Sequence, residues 1–289
     1  MKYILQTIIG IVLLIFSTQC TFGETTDTID MGRGDVSIYI PDNYDSEKPL
    51  PLIVALHGFT GSSEIVKKHW RMIRLVDDKQ FILCIPDGTK NLKGKRFWNA
   101  TKACCDFETG AVDDSGYLRG LVEEIEKQYA VDPESIHFMG HSNGGFMSLR
   151  MACEHSDKLA SVQSLAGAMF LIAEDHKPTE PVSVLQVHGT EDNIVKYDGG
   201  IFRAGECPSA RKTVEMWAKF NACAKVPEQL GTLDLVNNVK GNDTTVLCYK
   251  NDETKKVSEL WTIHGASHGP RFNHSYSPKI IDWLLEHRK

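Results

Sequence analysis

The chain has 289 residues and a formal net charge of −6 at pH 7. No basic run or stripe interrupts this mild acidity, which argues against nucleic acid as a partner. Its cysteines form no Cys-x-x-Cys pair, so the spacing is wrong for a zinc site, and no cofactor is expected.

In chain order, Lys2, the apolar run Ile4–Phe16 and the small and polar residues Ser17–Gly23 read as a secretory signal peptide over residues 1–23. The apolar run is short of the roughly 20 residues a membrane helix needs, so no span is expected once it is removed. The mature chain, residues 24–289, is therefore expected outside the cell, or in the periplasm of a bacterial host. Val36–Ile40 alternates like an edge strand, and Leu52–Leu56 is the continuous apolar run of a strand buried on both faces. Ile65–Asp78 predicts a helix, and Phe81–Ile85 a buried strand stopped at Pro86. Asp87–Gly110 is rich in Gly, Lys and Asn, and a loop of that length is usually functional. Val112–Tyr129 is an amphipathic helix, Ile136–Met139 a strand, and Gly145–Cys153 a helix. Strands at Val162–Ala166 and Val184–Val187 follow, then a helix at Ser209–Phe220. Strands at Thr245–Tyr249 and Val257–Ile263 precede a terminal helix at Pro278–His287. This alternation predicts one α/β domain over residues 24–289, with a mostly parallel central sheet and helices on both faces.

Gly140-His141-Ser142-Asn143-Gly144 sits between a strand and a helix, the setting of a nucleophile elbow. A serine hydroxyl needs a base within hydrogen-bond reach, and the base needs a carboxylate to fix its tautomer. The strand Val184–Val187 runs into His188-Gly189-Thr190-Glu191-Asp192, and Val257–Ile263 runs into His264-Gly265-Ala266-Ser267-His268-Gly269. Both loops lie at carboxyl ends of strands, where an open α/β sheet builds its site. Asp192 is the first choice for the acid, with Glu191 and Asp198 as alternatives. His268 is the first choice for the base, with His264 and His274 as alternatives. An oxyanion needs donors; the backbone N–H of Asn143 and that of Phe59 are the candidates, with Thr60 second to Phe59. Trp98 and Thr60 are candidates for the substrate wall, the alternative for Trp98 being a ring that holds its loop down. Asp113 and Asp114 suit the first turn of a helix by the dipole alone.

Export suggests disulfides. Cys223 and Cys248 are the first candidates for a bridge, the adjacent Cys104 and Cys105 are expected to bond to different partners, and Cys84 is the candidate free thiol. Asn99, Asn242 and Asn273 each open an Asn-x-Ser/Thr triplet, a glycosylation signal only in a host that glycosylates.

Leu56–Gly61, Phe97–Asn99, Val112–Asp114, Gly140–Gly145, Ala152–Glu154 and His188–Asp192, in this order, resemble the secreted polyhydroxybutyrate depolymerase-like and feruloyl esterase-like proteins related to carbohydrate esterase family 1. The resemblance covers the whole mature chain. It implies an α/β-hydrolase fold, no metal, and ester hydrolysis through an acyl-enzyme with Ser142, Asp192 and His268. The implied substrate is a small or polymeric ester, such as a plant cell-wall hydroxycinnamate or a polyester. Gly265–Phe272 departs from the family pattern in lacking a tryptophan after the histidine, so the substrate side of that loop differs. Two other readings stand beside the esterase: a catalytically silent α/β-hydrolase-like binding protein, and a serine peptidase, for which no propeller domain speaks.

Overall fold

From Leu52 to Leu56 and from Ile82 to Ile85 every side chain is buried, which requires strands covered on both faces. A computed structural model describes residues 25–101, 104–105, 112–169, 178–202 and 205–289. The leader expected at residues 1–23 and the 106–110 part of the long loop lie outside the described residues. The strands are β1 (Thr25–Asp30), β2 (Asp35–Ile40), β3 (Leu50–Leu56), β4 (Ile82–Ile85), β5 (Thr89–Lys90), β6 (Arg96–Phe97), β7 (Val131–His141), β8 (Ser161–Leu165), β9 (Ser183–Gly189), β10 (Gly200–Phe202), β11 (Gly205–Cys207), β12 (Glu228–Leu233), β13 (Thr244–Lys250) and β14 (Val257–Ile263). The helices are α1 (Ser63–Trp70), α2 (Val76–Lys79), α3 (Asp114–Gln128), α4 (Asn143–Glu154), α5 (Ala210–Phe220) and α6 (Tyr276–Glu286).

One sheet of ten strands runs β1-β2-β4-β3-β7-β8-β9-β14-β13-β12. Its six middle strands, β4 to β14, are parallel. β1 and β2 join antiparallel at one edge, β13 and β12 at the other. The strand period of two divides the core. Leu52, Val54 and Leu56 face Leu118, Leu121 and Phe146 of α3 and α4. Ile53 and Ala55 face Val66 and Trp70 of α1 and Ile280 and Trp283 of α6. This is the single α/β domain that the alternation of elements predicts, in the α/β-hydrolase arrangement that the resemblance implies.

The departures have local causes. The helix expected at Ile65–Asp78 breaks at Arg71, whose left-handed backbone (φ 50°) lets its N–H close α1 on the Lys67 carbonyl; a short 3-10 turn and α2 follow. β1 and β12 lack apolar runs because each is an edge strand whose polar residues face water. Asp113 caps α3 by accepting the Gly116 N–H, while Asp114 is buried and pairs with Arg33.

The cysteines correct the sequence reading. Cys104 and Cys105 bond to each other rather than to separate partners. Cys223 and Cys248 are free, so the expected bridge between them is absent. Cys248 belongs to the core on the α6 side with Trp261 and Trp283, whereas Cys223 packs with Leu247 and Tyr249 on the α5 side. Neighbouring strand residues point to opposite faces, so the sheet separates the two sulfurs. Cys84 is a buried free thiol, as are Cys153 and Cys207.

Candidate active site

β7 ends at His141 and α4 starts at Asn143, which isolates Ser142 at the turn. Its backbone (φ 54°, ψ −118°) lies where side chains are disfavoured. The neighbouring glycines make that turn possible. A Cβ on Gly140 would lie 2.2 Å from the Gly144 carbonyl, and one on Gly144 would lie 2.4 Å from the Leu56 carbonyl oxygen. The first turn of α4 therefore presses directly on the end of β3.

Loops leaving β9 and β14 bring two partners to the serine. His268 Nε2 lies 2.8 Å from Ser142 Oγ, and His268 Nδ1 lies 2.7 Å from Asp192 Oδ2. The Asp192 side chain is fully buried. Its Oδ1 accepts the Ile194 and Val195 N–H groups at 2.8 and 2.9 Å, and Oδ2 also faces His188 Nε2 at 3.2 Å. Burial by itself would raise its pKa; hydrogen bonds from His188, His268 and the Ile194 N–H outweigh burial and hold the carboxyl well below the usual range. An ionised Asp192 takes the Nδ1 proton of His268 as a hydrogen bond and leaves Nε2 bare toward the hydroxyl. Glu191 and Asp198, the alternative acids, are exposed. His264 is exposed and bonded to Thr245 Oγ1 at 2.8 Å, and His274 is exposed.

Three further histidines, which carry no strong sequence signal, frame this group. His141 Nε2–H donates to the His268 carbonyl at 2.9 Å. Burial and the adjacent His268 push its pKa down to about 4, so it is neutral near pH 7. His57 Nδ1–H donates to the Gly58 carbonyl at 2.8 Å while Nε2 accepts the Gly88 N–H at 2.9 Å, and burial lowers its pKa too. His188 Nε2–H donates to the Val195 carbonyl at 2.8 Å and braces the acid loop.

The loop after β3 borders the serine: a Cβ on Gly58 would meet Ser142 Cβ at 3.4 Å. Thr60 is exposed and its N–H donates to the Arg96 carbonyl at 2.8 Å, which removes it as the second oxyanion donor. Phe59 stays the candidate from this loop. Asn143 opens α4, where N–H groups have no intrahelical acceptor.

Trp98 is corrected from cleft wall to loop anchor. It is fully buried, its indole N–H donates to the His57 carbonyl at 3.0 Å, and its ring lies 5.1 Å from the His57 ring. The Asn143 side chain grips its backbone on both sides, accepting the Trp98 N–H at 2.7 Å and donating to the Trp98 carbonyl at 2.8 Å. The same amide reaches Cys104 Sγ at 3.4 Å. Asn143→Ala leaves two buried backbone groups unpaired and is expected to lower stability by about 2–4 kcal/mol, read from urea unfolding.

Sheet order, elbow and strand-end loops are those of the α/β-hydrolase class. Residues 31–230 match the family described as "Putative esterase", and the chain belongs to that family. Feruloyl esterase B of Piromyces equi is 28% identical over 244 residues, which are 81% of this chain and 42% of that protein. The chain thus spans less than half the length of that relative. Among solved structures, an acetyl xylan esterase from Aspergillus awamori superposes with TM-score 0.63 at 15% identity, covering 90% of this chain and 98% of that one. A ferulic acid esterase from Anaeromyces mucronatus, solved with ferulic acid, gives TM-score 0.52 at 16% identity, covering 91% and 90%. At such identities these two structures show the shared fold.

Proposed function

We propose that the chain is an exported serine esterase that cleaves carboxylic esters through an acyl-enzyme, with Ser142 as nucleophile, His268 as base and Asp192 as its orienting acid. The observation that carries this reading is the single imidazole bridging Ser142 Oγ and the buried Asp192 carboxylate. Ser142 Oγ attacks the ester carbonyl carbon while its proton passes to His268 Nε2. The resulting oxyanion is met by the N–H groups of Asn143 and Phe59, an arrangement worth about 10²–10³ in kcat per donor. Collapse expels the alkoxide, which takes the proton back from His268. Water, deprotonated by the same nitrogen, then releases the acid. The ionised Asp192 stabilises the imidazolium in both halves.

Relatives named for feruloyl and acetylxylan esters point to acyl or hydroxycinnamoyl esters, plant cell-wall esters among them, as the substrate class. Hydroxyalkanoate esters remain within it. Export rests on the leader at residues 1–23; among the described residues no helix is long and apolar enough to cross a membrane. A serine-reactive phosphonate is expected to label Ser142 stoichiometrically, in step with loss of turnover on a panel of acetyl, butyryl, feruloyl and hydroxybutyrate esters. Absence of labelling in folded protein would instead leave a silent binding protein.

A further inference from the structure

A cavity of about 860 Å³ adjoins the serine and its base. Gly58, which touches Ser142, lines it, as do His141 before the serine and Gly269 after His268. Its floor is apolar: Val66, Trp70 and Leu165 are buried there, beside Phe272. Its rim is basic. Lys68, Arg71, Arg74 and Arg271, with His69 and His274, line it and are exposed. Among the described residues no Asp or Glu lines this cavity, although the chain as a whole carries −6. Nor does Lys68, Arg71, Arg74 or Arg271 share an ion pair with a described carboxylate.

Basic residues in the last turn of α1 are explained in part by the helix dipole, which favours cations at a carboxyl end. That account does not reach Arg74, which lies beyond the helix, or Arg271 and His274, which arrive from the segment after β14. Two remote parts of the chain converge their cations on one mouth. An apolar floor under a cationic rim fits a carbon chain or ring that ends in an anion.

We propose that this cavity selects esters that carry a carboxylate at the end remote from the scissile bond. The inference rests on the ester-hydrolysis reading above and adds the substrate's charge to it. The apolar body lies on the floor beside Trp70 and Phe272. The carboxylate meets the guanidinium groups of the rim, where forked donors match its two oxygens. Unpaired cations at the mouth also draw an anionic ester toward the serine, an effect that salt weakens.

The test compares esters matched except for charge. One pair is para-nitrophenyl hydrogen adipate against its methyl ester, with the carboxylate on the acyl side. The other is O-acetyl 6-hydroxyhexanoic acid against its methyl ester, with the carboxylate on the alcohol side; released acetate is measured. In at least one pair, kcat/KM for the anionic member is expected to exceed that of the neutral member by about tenfold or more at low salt. That ratio should fall severalfold when ionic strength is raised tenfold. Arg271→Gln and Arg74→Gln should each cut it by about tenfold, and Arg271→Lys should keep most of it. These side chains are exposed, so the variants are expected to fold. No charge preference in either pair, with the neutral esters turned over, would overturn the proposal. If neither the anionic nor the neutral member of either pair is cleaved, the hydrolase reading fails instead. Calorimetric binding of adipic acid monoanilide against its methyl ester then decides the cavity alone: tighter binding of the anion, weakened in Arg271→Gln, supports it, and equal binding overturns it.

Discussion

Replacing Ser142 by alanine is expected to lower kcat on a short acyl ester by roughly 10⁵–10⁶-fold with little change in KM. The substitution removes the oxygen that stands 2.8 Å from His268 Nε2 and leaves the rest of the group in place. The substrate still binds, and the oxyanion donors still act, so a residual rate above that in water survives. His268→Ala is expected to cost about as much. The double variant should be no slower than either single one, because a nucleophile without its base and a base without its nucleophile are equally idle. Near-normal turnover by Ser142→Ala would end the serine-esterase reading. Additive losses in the double variant would show that the two residues act independently.

Asp192→Asn is expected to lower kcat by about 10⁴-fold, and the pattern of donors around the carboxylate explains why so small a change is so costly. Oδ1 is held by two backbone N–H groups, those of Ile194 and Val195. Only an oxygen suits that place, so an asparagine must turn its NH₂ toward His268. The amide then donates to Nδ1, the ring proton moves to Nε2, and the base can no longer accept from Ser142. The same NH₂ faces the His188 Nε2–H, which lay 3.2 Å from the carboxylate, so a donor opposes a donor in a buried place. Loss of stability is therefore expected alongside loss of rate, and chemical unfolding measures it separately from kinetics. Asp198→Asn, a change at an exposed position, should do neither. If Asp198→Asn is the damaging substitution, the acid has been assigned to the wrong residue.

The depressed pKa of Asp192 also gives a pH dependence of definite sign. A carboxyl whose folded pKa lies below its unfolded value stabilises the fold above the unfolded value, near 3.9 for aspartate. That contribution is lost as pH falls through the folded value. Asp192 therefore contributes its full stabilisation at neutral pH and loses it only in strong acid.

Much of this protein is legible in its residues. Buried parallel strands must be apolar on both faces, so Leu52–Leu56 and Phe81–Ile85 announce themselves without any partner in view. A turn that forces a serine to φ 54° tolerates no Cβ at Gly140 or Gly144, and this steric demand writes the elbow into consecutive positions. Asp192 and His268 are read from strand ends, because a parallel sheet delivers its loops to one edge.

Other features depend on which distant segments meet, and no local pattern encodes that. Trp98 looks like a cleft aromatic until the Asn143 amide, 45 positions away, is seen to clasp its backbone. Cys223 and Cys248 look like a bridge until the sheet is found between them. Lys68–Arg74 looks like an ordinary helix end, and Arg271 like an isolated charge, until the chain folds them onto the same mouth. Local sterics and burial act on neighbours in the sequence and therefore leave a record in it. Hydrogen-bond partners, sheet faces and converging charges are settled by contacts between remote residues, and for this chain only the tertiary structure decides them.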